Sequence, residues 1–142
     1  MNRNVAFLLS ALAVALPVSA QTPTGDKAAQ MAASLAGKQF DGNIMSNRPS
    51  NTDGQICGSV KSVKGASLSI ELKYMRSATC PGPYLVTGEF RPDGMLYINR
   101  DSQIDLCKAT ELKFSAVSGG VFKGDRGSVL AFKDKSTGCT SK

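Results

Sequence analysis

From Phe40 onward, apolar and polar residues alternate with a period of two. In Ser67–Tyr74, Leu68, Ile70, Leu72 and Tyr74 take turns with Ser67, Ser69, Glu71 and Lys73. That alternation marks a strand with one buried and one wet face, which belongs in an antiparallel sheet. Thr110–Ala116 repeats the design, with Leu112, Phe114 and Ala116 on the apolar side. Phe40–Met45, Ile56–Val63, Tyr84–Arg91, Met95–Arg100, Val121–Lys123 and Ser128–Lys133 read as further strands, about eight in all. The breaks between them carry turn chemistry: Lys64-Gly65, Pro92-Asp93-Gly94, Ser118-Gly119-Gly120 and Gly124-Asp125-Arg126-Gly127. Each supplies a glycine able to take positive φ.

Short connections favour sequential up-and-down pairing. Closing such a sheet removes its edges, and small residues at Gly58 and Gly88 suit the curvature. The expected fold is therefore all-β: a small antiparallel up-and-down β-barrel, with a two-sheet β-sandwich as the alternative. Leu68, Ile70, Leu72, Phe90, Leu112, Phe114 and Phe132 are bulky enough to fill a small barrel, which predicts no deep interior cavity.

Ahead of the strands the period is 3.6. Ala28, Met31, Ala32 and Leu35 form one stripe of a short helix, with Asp26 as its expected N-cap and Gly37 as its stop. Residues 1–20 have a different character: the positive start Met1-Asn2-Arg3-Asn4, the apolar run Val5–Leu16, then Pro17-Val18-Ser19-Ala20. This is the layout of a secretory signal peptide, and the run is too short to span a bilayer. The expected organisation is a signal peptide over 1–20, a lead and short helix over 21–37, and a single β domain over 38–142. The mature chain is expected to be exported, periplasmic or secreted, without stable membrane insertion.

Export changes how the cysteines are read. Cys57, Cys80, Cys107 and Cys139 are even in number and match no C-x-x-C spacing, so the expectation is two disulfides and no metal. Four cysteines allow three pairings, and the order of the strands favours Cys57–Cys80 with Cys107–Cys139.

Composition removes whole classes of chemistry. The 142 residues include no His and no Trp. Within this chain that excludes Ser-His-Asp triads, Cys-His dyads and histidine-held metals. No serine stands in G-x-S-x-G, and Asp125 occupies the place where a phosphate loop needs its lysine. No cofactor is expected. Asp101 and Asp105 are the one carboxylate pair weighed as acid and base for a His-free enzyme such as a two-carboxylate glycosidase.

The chain carries 17 Lys+Arg against 11 Asp+Glu, a net charge of +6. Nearly all of that surplus follows Ile56. If Lys61, Lys73, Arg76, Arg91, Arg100 and Lys113 share a face, their field draws an anionic glycan, lipid head group or acidic protein. Nucleic acid is not expected of an exported chain with only six Phe and three Tyr.

One layout has a family likeness. A short Ala-rich helix ends at Ala33-Ser34-Leu35-Ala36-Gly37, and Phe40 then opens a barrel with a cysteine at 57. The order resembles the small periplasmic inhibitors of bacterial metalloproteases, over about residues 21–57. Those proteins usually place Trp after the Ala-Gly step, where this chain has Lys38. The resemblance implies an N-terminal segment that plugs a protease cleft while the barrel holds it. The functional expectation is an exported, non-catalytic binding or interaction module. The alternatives are an inhibitor of a secreted hydrolase and the His-free enzyme.

Overall fold

Eight strands follow one another around a closed ring in a computed structural model, which describes residues 24–45, 51–100, 105–135 and 139. The strands are β1 (Gln39–Ile44), β2 (Gly54–Lys64), β3 (Ser67–Tyr74), β4 (Tyr84–Phe90), β5 (Leu96–Asn99), β6 (Leu112–Ser118), β7 (Val121–Gly124) and β8 (Val129–Lys133). Every neighbouring pair is antiparallel, and β8 returns to pair with β1, as in Phe40 opposite Phe132. That seam makes the molecule an up-and-down barrel and excludes the sandwich. The segment 1–20, read as a signal peptide, lies outside the described residues.

The period-two pattern explains the core. Leu68, Ile70, Leu72 and Tyr74 of β3 are all buried, while their polar neighbours are not. Aromatic rings run in contact through the interior: Phe40 to Phe132 at 5.2 Å, Phe132 to Phe122 at 5.5 Å, and Phe122 to Phe90 at 5.9 Å between centroids. Phe114, Ile44, Leu96 and Leu130 complete the packing. Leu112 is only partly buried and packs against the core's edge.

Gly58 makes the ring chain fit. It sits opposite Phe40, and a Cβ added there falls 2.5 Å from the Phe40 ring and 2.1 Å from the Glu71 carbonyl oxygen. The missing side chain is the space that Phe40 uses.

The helix α1 (Thr24–Ser34) closes one end of the barrel through buried Ala28, Ala32 and the following Leu35, in contact with β2, β3 and β4. It begins three residues earlier than an N-cap at Asp26 implies. Asp26 therefore lies in the first turn rather than at the cap, where its charge favours the helix dipole. Gly37 takes φ +68° and ends the turn, as expected.

Both disulfides form, but in other pairs than the strand order suggested: Cys57 with Cys139, and Cys80 with Cys107, each with Cα atoms 5.5 Å apart. The pleat is the reason. Ile56 and Val60 point into the core, so Cys57 points outward, in register with Asp41 and Lys73. Its partner has to come over the outer wall, and Cys139, beyond β8, does so. Cys80 and Cys107 lie in the β3–β4 and β5–β6 connections at one barrel end, where Cys80 Sγ is 3.5 Å from the Leu106 carbonyl. Two such bridges fit an oxidising compartment. Loop closure credits each with about 3–5 kcal/mol.

Gly58→Ala tests the close approach. Relieving the contacts with Phe40 and the Glu71 carbonyl has to move backbone, so thermal or denaturant unfolding is expected to show a loss of about 1–3 kcal/mol. An unchanged midpoint means the ring does not occupy that space.

Candidate functional site: a groove on the outer wall

Aromatic and aliphatic side chains pack the interior, and most polar side chains stand outside it. The richest cluster stands on the wall made by β4, β5 and β6. Register places Glu89, Tyr97 and Lys113 side by side across the three strands, with Thr87 beside Asn99 one step along. All belong to the wet face of the same alternation that buries Leu96 and Ile98.

The turn after β4 organises the cluster. Asp93 accepts the Met95 backbone N–H at 2.9 Å on one oxygen and the Tyr97 hydroxyl at 2.6 Å on the other. Arg91 lays its guanidinium over the Tyr97 ring, 3.8 Å from the centroid, a cation–π stack. Its Nε donates to Glu89 at 3.2 Å and its Nη2 to Glu111 at 2.8 Å. Arg91, Tyr97 and Asp93 are thus each held by at least two neighbours, which prepares the surface before any ligand arrives.

Protonation follows from these bonds. The Tyr97 hydroxyl and the Met95 N–H hold the Asp93 carboxyl below its ordinary value of 3.8. The same bond raises the Tyr97 phenol, because ionising it removes the proton that Asp93 accepts. For Arg91 desolvation works against the charge, yet the bonds to Glu111 and Glu89 outweigh it and raise the guanidinium.

Two clefts meet at this cluster. One, of about 310 Å³, is lined by Thr87, Glu89, Arg91, Tyr97, Asn99 and Glu111. The other, of about 230 Å³, shares Tyr97 and Glu111 and continues past Lys113 to Asp125, Ser128 and Met45. Two carboxylates and one cation line each: Glu89, Glu111 and Arg91 in the first, Glu111, Asp125 and Lys113 in the second. Such a lining suits a ligand rich in hydroxyl groups better than a polyanion.

The six basic residues singled out from the sequence do not form one patch. Arg91 and Lys113 come together beside Tyr97, among Glu89, Glu111 and Asp93. Lys61 pairs with Glu71 at 3.2 Å on the β2–β3 wall, where Lys73 lies half-buried, and Arg76 is exposed in the following loop. Arg100 is a correction: it is 1% exposed and belongs to the interior, so it presents nothing to a partner at the surface. Its place was readable, since Leu96, Ile98 and Arg100 share one parity of the strand. Asp105 is exposed and pairs with Lys108 at 3.0 Å, away from both clefts, while Asp101 lies outside the described residues. The sequence reading missed Tyr97, Asp93 and Glu111. The signal for the first two was an Asp-Gly turn followed by a tyrosine on the wet side of an otherwise apolar alternation.

Among the described residues no group of His, Cys, Asp and Glu is arranged to hold a metal, and no helix is long and apolar enough to cross a membrane. No family model, curated protein or solved structure matches the chain.

The Asp93–Tyr97 bond sets a pH window. A lowered folded-state value contributes stability that is present in full above the unfolded value of 3.8 and is lost as pH falls through the folded one. Tyr97→Phe removes the largest cause. The Asp93 carboxyl, followed by NMR, is then expected to titrate closer to 3.8 than in the parent; an unchanged titration shows that the hydroxyl does not hold it.

Proposed function

We propose that this chain is an exported, non-catalytic binding module that holds a hydroxyl-rich surface polymer, a glycan, in the groove around Tyr97. The observation that carries this reading is the cluster itself: an aromatic ring stacked by Arg91 and flanked by Glu89, Glu111 and Asp93, shared by two adjoining clefts. Carboxylates and a guanidinium accept from and donate to sugar hydroxyls, and a tyrosine ring packs against the C–H face of a pyranose. The acidic excess of the lining, two carboxylates to one cation in each cleft, favours neutral polymers over anionic ones and over anionic lipid head groups. The two disulfides support export, as does the apolar segment Val5–Leu16 behind a basic start.

The inhibitor reading keeps one observation in its favour, the packing of α1 against the end of a barrel, as in the layout that the sequence resembles. The two readings separate in one experiment. Calorimetry with purified neutral and acidic envelope polysaccharides, at low and high salt, is expected to show binding that survives high salt. Tyr97→Ala is expected to weaken it about tenfold or more, equivalent to at least about 1.4 kcal/mol. Absence of binding, or binding that salt abolishes and Tyr97→Ala leaves intact, contradicts the groove. Inhibition of a co-secreted metalloprotease that disappears on deleting residues 21–26, and persists in Tyr97→Ala, supports the inhibitor instead.

A further inference from the structure

Both clefts carry charge, but the charges differ in whether they are already answered. In the first cleft Arg91 joins Glu89 and Glu111, so its three charged groups are bound to one another. The second cleft takes over Glu111 in that state and adds Lys113 and Asp125. Among the described residues neither of these two makes an ion pair, with the other or with a third group. Asp93 feels the charge of Lys113, but its oxygens are taken by Tyr97 and the Met95 N–H.

The backbone fixes where the two stand. Phe114 faces Gly124 across the β6–β7 pairing; Lys113 precedes the one and Asp125 follows the other. Both residues are exposed. The turn that presents Asp125 is closed by two bonds, from the Gly124 N–H to the Ser128 carbonyl at 2.9 Å and from the Ser128 N–H to the Asp125 carbonyl at 3.0 Å. It holds Arg126 at φ 54°, the one non-glycine with positive φ among the described residues, a conformation that L side chains rarely adopt.

An open cation and an open anion in one cleft of about 230 Å³ complement a ligand with one charge of each sign. A polyanion or a polycation satisfies one of the two and is repelled by the other. We propose that the cleft at Lys113 and Asp125 selects, within the glycan class, a repeat that bears both a carboxylate and a free ammonium, the carboxylate on Lys113 and the ammonium on Asp125. The inference rests on the glycan reading of the Tyr97 groove: Tyr97 and Glu111 line both clefts, so a chain lying over Tyr97 continues into this one. Such a repeat has no net charge, in keeping with a groove that favours neutral over anionic polymers.

The test uses one backbone in four charge states: oligosaccharides of alternating glucuronic acid and glucosamine, with the amine free or acetylated and the carboxyl free or reduced. Calorimetry on the disulfide-intact protein at low ionic strength is expected to rank the zwitterionic form tightest, about three- to tenfold above the neutral one, the scale of two exposed ion pairs. Each variant is read as the ratio of the charged forms to the neutral form. Asp125→Asn is expected to remove the gain that the free amine brings, and Lys113→Gln the gain that the carboxylate brings. Lys61→Gln, on the β2–β3 wall, is expected to leave the ratios as they are, and high salt to erase the ranking. A zwitterion bound no more tightly than the neutral, cationic or anionic form overturns the inference while the glycan groove stands. So does a preference that survives both substitutions, or one that Lys61→Gln removes equally. Failure of all four forms to bind overturns both readings. Binding of phosphatidylethanolamine vesicles in that case, through the same two charges, assigns the cleft to a lipid surface instead.

Discussion

A closed ring of eight short strands has one interior, and every inward side chain has to share it. This constraint governs the rest of the molecule. Phe40, Phe132, Phe122 and Phe90 occupy that space in a continuous chain of rings, and Gly58 gives up its side chain so that Phe40 can lie against the β2–β3 backbone. Aliphatic side chains fill what remains, α1 covers one end, and disulfide-joined loops lie at the other. A barrel packed in this way is a scaffold. It displays groups on its wall and cannot enclose a sizeable ligand.

The wall then inherits its order from the pleat. The alternation that sends Leu96 and Ile98 inward sends Tyr97 outward, and antiparallel register sets Glu89 and Lys113 on either side of it. Bonds from Asp93, Glu89 and Glu111 fix the ring and its stacked arginine in place. These bonds order the surface before any ligand arrives. Glu89 and Glu111 are engaged with Arg91, and Asp93 with Tyr97.

Much of the fold was legible because period-two alternation is a direct image of a half-buried sheet. The β3 segment Ser67–Tyr74 matches its expected bounds, and short glycine turns left little freedom in topology. The errors share a cause: identity was weighed ahead of parity. Arg100 was grouped with the surface cations because it is charged, although its neighbours in phase, Leu96 and Ile98, are core residues. Cys57 was paired by barrel end, although its outward phase between Ile56 and Gly58 demanded a partner from outside. Cys80 and Cys107 sit in loops, where no periodicity reports direction, and only the three-dimensional path brings them together. The Tyr97 cluster depends on Arg91 and Glu111 meeting across two strands, which spacing along one segment does not encode.

The central claim is that β8 closes onto β1, leaving a barrel filled by its own side chains. Proton NMR tests this most directly through contacts between the two strands. The account predicts cross-strand nuclear Overhauser effects between Phe40 and Phe132 and between Gly42 and Leu130, residues that face one another in register. Absence of both, with β1 paired to β2 alone, would mean an open sheet and would contradict the account.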